Sequence, residues 1–389
     1  MSFWVIMEIE KNRRDKMYID SRNTFAEINV DNYLENLDYI SKKTKTKVMP
    51  VLKADAYGHN KIILAKYAEK NGYNKFAVAF LEEAIELFKS GIKKPILIFN
   101  YINPKSLKKY LHFSDFLIPT IHSLDNLKNL IDHLGKDISK YKFHLNFNTG
   151  INRIGVLEEE IEEIVKLIKK ENIKIEGIYS HYATADSLDD FVDKQYSKFL
   201  EIIKYFDKQS IDYKYKHMSN SAASIYYPER SLDMVRPGIA SFGLQPSNVK
   251  KDTNLKPVMT FKSILAKLNN CKKGDAIGYG RTHIIDENKR TGIIPLGYAD
   301  GYPRILSNKS HVNIHNNLYR VIGNISMDQI VVEITNNDIM VGDEVILFGE
   351  KPSAEYIANL AQTINYEITC GISKRVKRVY IKGGSYIEQ

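Results

Sequence analysis

The sequence has few cysteines and no long apolar run. Cys271 and Cys370 are its only cysteines. They are too few for a disulfide framework or a CxxC metal site, so we expect two buried thiols in a cytoplasmic protein. No apolar stretch approaches the roughly 20 residues needed to cross a bilayer, and the N-terminus lacks the long apolar core of a secretory signal. These absences favour a globular protein that neither spans nor binds a membrane.

A dense basic block is also absent, although the formal net charge is +9. The lysines are interleaved with acidic residues, as in EEEIEEIVKLIKKENIK (158–174), which is typical of solvated helix faces. A nucleic-acid partner would require clustered basic residues with interleaved aromatics. We therefore expect no nucleic-acid binding and a modest preference for anionic small molecules.

The first part of the chain alternates short apolar runs with stretches of helical spacing. Helical spacing is clearest in residues 81–91, 158–172 and 189–209. Eight strands alternating with helices predict a (β/α)8 TIM-type barrel, and an open doubly wound sheet would give a similar pattern. No G-x-G-x-x-G follows the first run, which disfavours a Rossmann dinucleotide site. The eight runs are 47–53, 75–80, 95–100, 116–121, 142–148, 173–181, 213–219 and 233–239.

The rhythm changes near residue 256, where shorter apolar runs are separated by turn residues. We predict an N-terminal extension (1–20), a barrel domain (21–255) and a mainly β domain (256–389). We expect Ile28 and Val30 to form a strand that joins the β domain. Ser353 is a candidate N-cap of a helix over AEYIANLAQTI. The tail KGGSYIEQ is expected to be loose.

Polar residues stand where the predicted barrel strands end. Each has an ordinary explanation by itself: Lys53 could cap a strand, His181 could be a hydrogen-bonded core residue and Arg236 could belong to an ion pair. The C-terminal ends of barrel strands form the active-site face, however, so these residues should converge on one mouth. The set comprises Lys53, Asn146, Asn148, Arg153, His181, Asn220, Ser221, Arg236, Gly238 and Ile239.

The residue types at this mouth restrict its chemistry. It lacks the carboxylate pair of a glycosidase and a histidine cluster with metal spacing, so we expect no metal. An amine among anion-binding groups fits a phosphorylated carbonyl cofactor bound to Lys53 as a Schiff base, and pyridoxal 5′-phosphate is the obvious candidate. The Tyr57 hydroxyl, Ser221 and the turn at Gly238 and Ile239 could hold its phosphate.

VLKADAYGHN (51–60) resembles the V-x-K-A-D-A-Y-G-H-G stretch of the alanine racemase family, except for Asn60 and a variable position at Leu52. Further blocks match in order from about residue 22 to 380, among them TGINRIGV, SNSAAS, VRPGIASFG, IGYGRTH, PLGYADGYPR and ISMDQ. The resemblance implies a barrel followed by a β domain, a homodimer, pyridoxal phosphate as cofactor and alanine as substrate. The expected product, D-alanine, would supply peptidoglycan synthesis.

The resemblance also implies a role for each matching residue. Lys53 and Tyr279 would be the two catalytic bases, with Tyr279 coming from the partner subunit. His181 would link Tyr279 to Arg236. Arg236 would face the pyridine nitrogen of the cofactor, and Arg153 would contact its phenolic oxygen and the substrate. Met327, with Asp328 beside it, would contact the substrate carboxylate, and Tyr298 would narrow the entrance. The residues expected to bind the phosphate are Tyr57, Ser221, Gly238, Ile239 and Tyr366, with Asn220 beside them.

The match departs from the family at LNFNTGI (145–151), where members usually show L-K-x-D-T-G-M. The family lysine is often carbamylated and orients the arginine that corresponds to Arg153, whereas Asn146 carries no charge. We hypothesise a chloride beside Asn146. Broad-specificity racemases also carry asparagine there, so a broader amino-acid racemase is the main alternative. A related decarboxylase would give Tyr279 no purpose, and a non-catalytic cofactor carrier would not need the β domain.

Overall fold

The computed structural model describes residues 22–387, so the predicted extension 1–20 lies outside the described residues. The chain divides into two compact units. One comprises residues 29–258, and the other combines residues 22–28 with residues 259–387. Strand β1 (Phe25–Asn29) precedes the first unit and pairs within the second.

Residues 29–258 form a closed parallel barrel, which confirms the predicted fold class. Each strand pairs with its sequence neighbour from β3 to β9, and β9 pairs with β2. The barrel closes where Val51 bridges Ala77 of β3 and the Leu52 N–H donates to the Ala77 carbonyl at 2.8 Å. The strands are β2 (Lys47–Val48), β3 (Phe76–Val78), β4 (Ile96–Ile98), β5 (Leu117–Ile121), β6 (Lys142–Asn146), β7 (Lys174–Tyr179), β8 (Tyr215–His217) and β9 (Met234–Val235).

Helices follow the strands and bury one apolar stripe each. In the helix Ile161–Lys170, four aliphatic residues at helical spacing are buried, and the exposed face carries glutamates in the first turn and lysines in the last. This charge order complements the helix dipole. The helices of this unit are α1 (Val30–Thr44), α2 (Lys61–Lys70), α3 (Leu81–Lys89), α4 (Pro104–Lys109), α5 (Leu124–Leu134), α6 (Ile161–Lys170), α7 (Phe191–Lys208) and α8 (Ser221–Tyr226).

The second unit is mainly antiparallel, and its strands alternate buried and partly exposed residues, as β10 does over six residues. Its largest sheet has the order β16-β15-β18-β10-β1-β19-β20, beside sheets β11-β14-β17 and β12-β13. The strands are β10 (Met259–Ile264), β11 (Lys267–Cys271), β12 (Ala276–Ile277), β13 (His283–Ile284), β14 (Lys289–Ile294), β15 (His311–Ile314), β16 (Asn317–Arg320), β17 (Ile330–Ile334), β18 (Glu344–Phe348), β19 (Lys377–Lys382) and β20 (Ser385–Ile387). Two helices, α9 (Ala354–Leu360) and α10 (Asn365–Cys370), complete it.

Several local predictions can be compared with this unit. Ile28 lies in a strand of the β sheet as expected, but Val30 begins helix α1 because the Asn29 side chain caps it there. Ser353 caps helix α9 by accepting the Tyr356 N–H at 3.2 Å, as predicted. The prediction of a loose tail was wrong, because β19 and β20 form a hairpin across Gly383 and Gly384, which both adopt positive φ.

The structure also bears on two expectations from the composition, the burial of both thiols and the lack of a segment that could cross a membrane. Cys271 is only partly buried and Cys370 is exposed, so the expected burial of both was wrong. Between residues 22 and 387, no helix is both long enough and apolar enough to cross a membrane.

Candidate active site

Lys53 stands at the barrel mouth, directly before a left-handed turn. Ala54, Asp55, Ala56 and Tyr57 have consecutive φ values of 52°, 54°, 55° and 54°. For residues other than glycine this conformation costs about 1–2 kcal/mol each. Such strain persists only where surrounding contacts enforce it, and it concentrates at functional sites. The turn is therefore held by its neighbours rather than by its own preference.

The turn ends at the residue where this chain departs from the family stretch. Asn60 has φ 75°, a conformation that asparagine tolerates better than most residues do. Its side chain accepts the N–H groups of Ile62 and Ile63 at 3.1 and 3.4 Å, and thereby caps helix α2. Asn60 thus combines a positive φ, which a glycine would also allow, with a helix cap.

Tyr57, Ser221 and Gly238 form a small polar cradle. A Cβ atom on Gly238 would lie 2.1 Å from the Tyr57 hydroxyl oxygen, so only glycine allows this approach. Ser221 Oγ accepts the N–H groups of Gly238 and Ala240 at 2.9 and 3.2 Å. Because its oxygen accepts twice, the Ser221 hydroxyl proton is directed to another acceptor. Two hydroxyl donors therefore stand at one backbone turn, which suits a phosphate group.

Asn220 and Ile239, which are adjacent in sequence to Ser221 and Gly238, support this cradle through the backbone. The Asn220 side chain accepts the Ala223 N–H at 3.0 Å and caps helix α8, which begins at Ser221. Ile239 is fully buried and begins a 3-10 turn that ends at Phe242. The Phe242 ring packs on Tyr57 with a centroid distance of 5.0 Å. These contacts fix the positions of the cradle.

Arg236 is buried directly after strand β9 and is held by fixed acceptors. Its Nη2 donates to the Ser180 carbonyl at 2.8 Å, and its Nη1 lies 2.6 Å from His217 Nδ1. Nη2 also lies 3.2 Å from His181 Nδ1. Burial lowers the pKa of Arg236 to about 10. The guanidinium therefore keeps its positive charge at neutral pH and offers only donors.

His181 is a neutral histidine with a defined tautomer. Burial lowers its pKa well below 6.5, and the positive charges of Arg236, Arg153 and Lys53 act in the same direction, in that order. Because its Nδ1 accepts from Arg236, the remaining proton is on Nε2. Arg236 contacts the His181 ring directly, and the charges of Arg153 and Lys53 also act on it.

A buried chain of side chains, which sequence reasoning missed, continues from Arg236 through the barrel interior. His217 Nε2 lies 2.8 Å from His144 Nδ1, and His144 Nε2 lies 3.1 Å from Glu176 Oε2. Since His217 Nδ1 accepts from Arg236, His217 must donate from Nε2, and His144 must then donate from Nε2 to the carboxylate. Every donor in the chain therefore points from Arg236 towards Glu176.

The chain ends in an ion pair between Glu176 and Lys75. Burial alone would raise the pKa of Glu176, but the hydrogen bond from His144 and the charge of Lys75 outweigh it and lower the pKa to about 2. Burial lowers the pKa of His144 to about 4, so that ring is neutral. One sequence signal was available: a Cβ atom on Gly177 would lie 2.6 Å from the His144 ring, so this strand glycine makes room for it.

The loop after strand β6 carries the departure at Asn146. The buried Asn146 amide donates to the Ile154 carbonyl at 3.2 Å. Asn148 Oδ1 accepts the N–H groups of Gly150 and Asn152, both at 3.1 Å, and so shapes the loop. Arg153 is exposed on this loop, adjacent in sequence to the carbonyl that Asn146 binds.

Four predicted residues lie in the second unit. Tyr279 begins a short turn between Gly278 and Gly280, and its carbonyl accepts from Asn324 at 2.8 Å. Tyr279 is 77% exposed, and Met327 and Tyr298 are 53% and 41% exposed. Tyr366 lies partly buried in helix α10.

Asp300 holds the turns that carry Tyr298 and Met327. Its fully buried carboxylate accepts Arg375 Nε at 2.7 Å and Nη2 at 2.8 Å, and the Gly297 N–H at 3.0 Å. The Ala299 N–H donates to the Met327 carbonyl at 3.1 Å. Burial would raise the pKa of Asp300, but the bonds from Arg375 and the Gly297 N–H outweigh it and lower the pKa. Asp300 was not singled out in the sequence, because its arginine partner lies 75 residues away.

Comparison with known proteins places the chain in one family. Residues 28–246 match the family model described as alanine racemase, N-terminal domain, and residues 258–380 match that described as alanine racemase, C-terminal domain. The chain is 39% identical to the alanine racemase of Clostridium tetani over 95% of this chain and 98% of that protein. It is 40% identical to that of Halothermothrix orenii over 92% and 97%. The solved alanine racemase of Clostridium difficile 630 superposes with a TM-score of 0.88 and 37% identity, covering 95% of this chain and 98% of that chain. The chain belongs to the alanine racemase family.

Proposed function

We propose that this chain is a pyridoxal 5′-phosphate-dependent racemase that interconverts L-alanine and D-alanine. The convergence of Lys53, the Tyr57–Ser221–Gly238 cradle and the buried Arg236 at one barrel mouth carries this proposal. Membership of the family supports the substrate. In this proposal D-alanine would supply peptidoglycan synthesis, and the cytoplasmic location stays a prediction from the sequence.

The residues of the mouth fit the proposed cofactor. The hydroxyls of Tyr57 and Ser221 and the Ile239 N–H would hold its phosphate, with Gly238 allowing the close approach, and the amine of Lys53 would hold it covalently. When bound, pyridoxal phosphate supplies an electron-withdrawing ring that acidifies the α-hydrogen of an amino acid. The protein then has to orient the amino acid and move a proton at the α-carbon.

Arg236 would face the pyridine nitrogen as a donor only. Its charge persists at neutral pH, and its two Nη atoms are held by His217, His181 and the Ser180 carbonyl. Guanidinium does not readily release a proton, so it donates a hydrogen bond and leaves the ring nitrogen unprotonated. A weaker electron sink suppresses side reactions such as transamination. This choice of residue favours a racemase over a decarboxylase or a transaminase.

Inversion of an α-carbon needs a base on each face of the substrate. We assign one face to Lys53 and the other to Tyr279 of the partner subunit. The Nε2–H of His181 is available to donate to the Tyr279 oxygen, because His181 Nδ1 already accepts from Arg236. Such a bond would favour the charged form of the tyrosine.

A homodimer with shared sites is part of the proposal. Tyr279 is 77% exposed, although its turn is fixed by the bond from Asn324. Met327 and Tyr298 of the same unit also expose large apolar side chains. Fixed and exposed apolar groups of this kind are typical of surfaces that a partner covers.

A chiral assay of purified protein tests the substrate. The values of kcat/KM for L-alanine, L-serine and L-lysine should be compared first, followed by the other common amino acids. Alanine is expected to be preferred by a wide margin. Equal values for lysine and alanine would instead support the second candidate, a racemase of broader specificity, which Asn146 in place of the usual lysine favours.

The assignment of Lys53 is tested by Lys53→Ala. This variant should lose both the yellow chromophore of the bound cofactor and its fixation by borohydride. Lys47→Ala is the matched control, because Lys47 is exposed at the start of strand β2, at the opposite end of the apolar run 47–53. Retention of both signals in Lys53→Ala would refute the assignment.

Mixed dimers test the shared site. Lys53→Ala and Tyr279→Phe subunits should each be inactive, but a mixed dimer would hold one site with both bases. After full exchange we expect about a quarter of the wild-type activity, since half of the dimers would be mixed with one intact site each. A Lys53→Ala subunit mixed with one that carries both changes is the negative control. Failure to restore activity despite verified exchange would exclude a shared site.

We retain chloride as the proposed partner of Asn146 and Arg153. The neutral amide of Asn146 cannot supply the negative charge that the family lysine gains by carbamylation. Crystals soaked in bromide would show an anomalous peak beside Asn146 if an anion occupies that position. An empty position would contradict the proposal.

A further inference from the structure

Glu83, the third residue of helix α3, joins two parts of the barrel mouth. Its Oε1 accepts the Ala54 N–H at 2.7 Å. Its Oε2 accepts the N–H groups of Ala79 and Phe80 at 2.9 and 3.2 Å. One carboxylate therefore binds the N-terminus of its own helix and also the first residue of the left-handed turn. Capping the helix requires only one of the two oxygens, so the other is committed to the turn.

The bond to Ala54 lies at the strained position next to Lys53. Ala54 has φ 52° and ψ 48°, and its N–H belongs to the peptide group that follows Lys53. An acceptor fixed on a neighbouring helix sets the plane of this peptide. The plane in turn sets the direction in which the Lys53 side chain leaves the backbone. A charged acceptor makes this bond stronger than a neutral one would be.

We propose that Glu83 is a positioning residue for Lys53, which acts by holding the left-handed turn in place. The proposal rests on the function proposed for Lys53, because only then does the direction of its amine matter. Glu83 works through Ala54 and does not itself touch the reacting atoms. It was not among the residues singled out in the sequence, where LEEAIELF reads as an ordinary amphipathic helix.

The substitution Glu83→Gln separates the two tasks of the carboxylate. A glutamine has one acceptor oxygen and one NH2 group, so it can serve the helix end or Ala54 but not both. Glu82→Gln is the matched control, since Glu82 is adjacent, exposed and equally charged. Ala54→Gly in the Glu83→Gln background tests the role of strain, because glycine adopts positive φ without a steric penalty.

Two measurements on the cofactor-loaded protein decide the proposal. In Glu83→Gln, amide exchange in the peptide containing Ala54 should rise about ten- to a hundredfold, as expected for losing one charge-assisted hydrogen bond. The value of kcat should fall about tenfold while the protein keeps its chromophore, because a displaced base reacts poorly. Glu82→Gln should change neither. Ala54→Gly should restore part of kcat in Glu83→Gln.

Other results would overturn the proposal. Unchanged exchange in Glu83→Gln would contradict the expected loss of the bond to Ala54, and increased exchange with an unchanged kcat would show that this bond is dispensable for catalysis. A loss of kcat that Ala54→Gly does not restore would show that Glu83 acts only as a helix cap. If the wild-type protein did not racemise alanine, the proposed function would fail, and exchange at Ala54 would still decide whether Glu83 holds the turn.

Discussion

Replacing Glu176 by glutamine should destabilise the barrel strongly, although the change is isosteric. Glu176 Oε2 accepts from His144 at 3.1 Å and from the amine of Lys75. Lys75 is only 6% exposed, so its charge cannot turn to water when the carboxylate is neutralised. The substitution therefore leaves a buried ammonium without a counter-charge.

The magnitude follows from the pKa of Glu176, which the fold lowers from 4.5 to about 2. That difference corresponds to about 3 kcal/mol of stability contributed by the ionised carboxylate, although burial lowers the pKa of Lys75 and offsets part of this gain. Losing one partner of a buried ion pair typically costs about 3–5 kcal/mol, which agrees. A lowered pKa contributes stability above the unfolded value near 4.5 and loses it as the pH falls towards 2. The wild type and the variant should therefore converge in stability over that interval.

Guanidinium chloride unfolding followed by far-UV circular dichroism at pH 7.5 measures this difference. With a slope of roughly 5 kcal/mol per M, the midpoint of Glu176→Gln should fall by about 0.6 M. Glu162→Gln is the control, because Glu162 pairs with Lys166 on an exposed helix face and should leave the midpoint unchanged. Adding Lys75→Met to Glu176→Gln should recover part of the loss. Equal midpoints for wild type and Glu176→Gln, or a difference that persists at pH 2, would refute the reasoning.

Three further predictions follow from the same contacts. Gly238→Ala should weaken cofactor binding at least about tenfold, since the new Cβ would lie 2.1 Å from the Tyr57 oxygen; an unchanged absorbance titration would contradict this. Stability should fall as the pH drops from 6.5 towards 4, because the buried neutral His144, whose pKa is about 4, binds a proton more readily when unfolded; a flat midpoint between pH 7 and 5 would refute this. Asp300→Asn should raise KM for alanine more than it lowers kcat, because its bonds to Arg375 fix the turns that carry Tyr298 and Met327, which we propose to contact the substrate; steady-state kinetics check this, and an unchanged KM would count against it.

The sequence was most informative where a local pattern determines the structure. The eight apolar runs became the eight barrel strands, and Lys53, at the end of the first run, follows the bridge at Val51. The left-handed turn behind Lys53 was not foreseen, because four successive residues other than glycine rarely adopt that conformation. The turn exists because distant groups such as the Glu83 carboxylate hold it. A window of neighbouring residues cannot show such a contact.

The interior of the barrel was the least predictable part. Apolar strands predict an apolar filling, yet His144 and His217 occupy positions inside it. Only Gly177 gave a local sign, since a glycine in a buried strand marks close approach by another group. Asp300 was missed for a similar reason, because its role depends on hydrogen bonds to Gly297 and to the distant Arg375.

The chain from Arg236 to Glu176 also constrains how the sequence can change over time. Each of its first three members donates a hydrogen bond to the next one, in the order Arg236, His217, His144 and Glu176. Replacing one member therefore leaves a buried partner without its hydrogen bond. An apolar residue would be tolerated at His144 only if Glu176 and His217 changed as well. We therefore expect related proteins to keep all four residues or to replace them together. Proteins in which only one or two of the four have become apolar should be rare, because their remaining polar groups would be buried without partners.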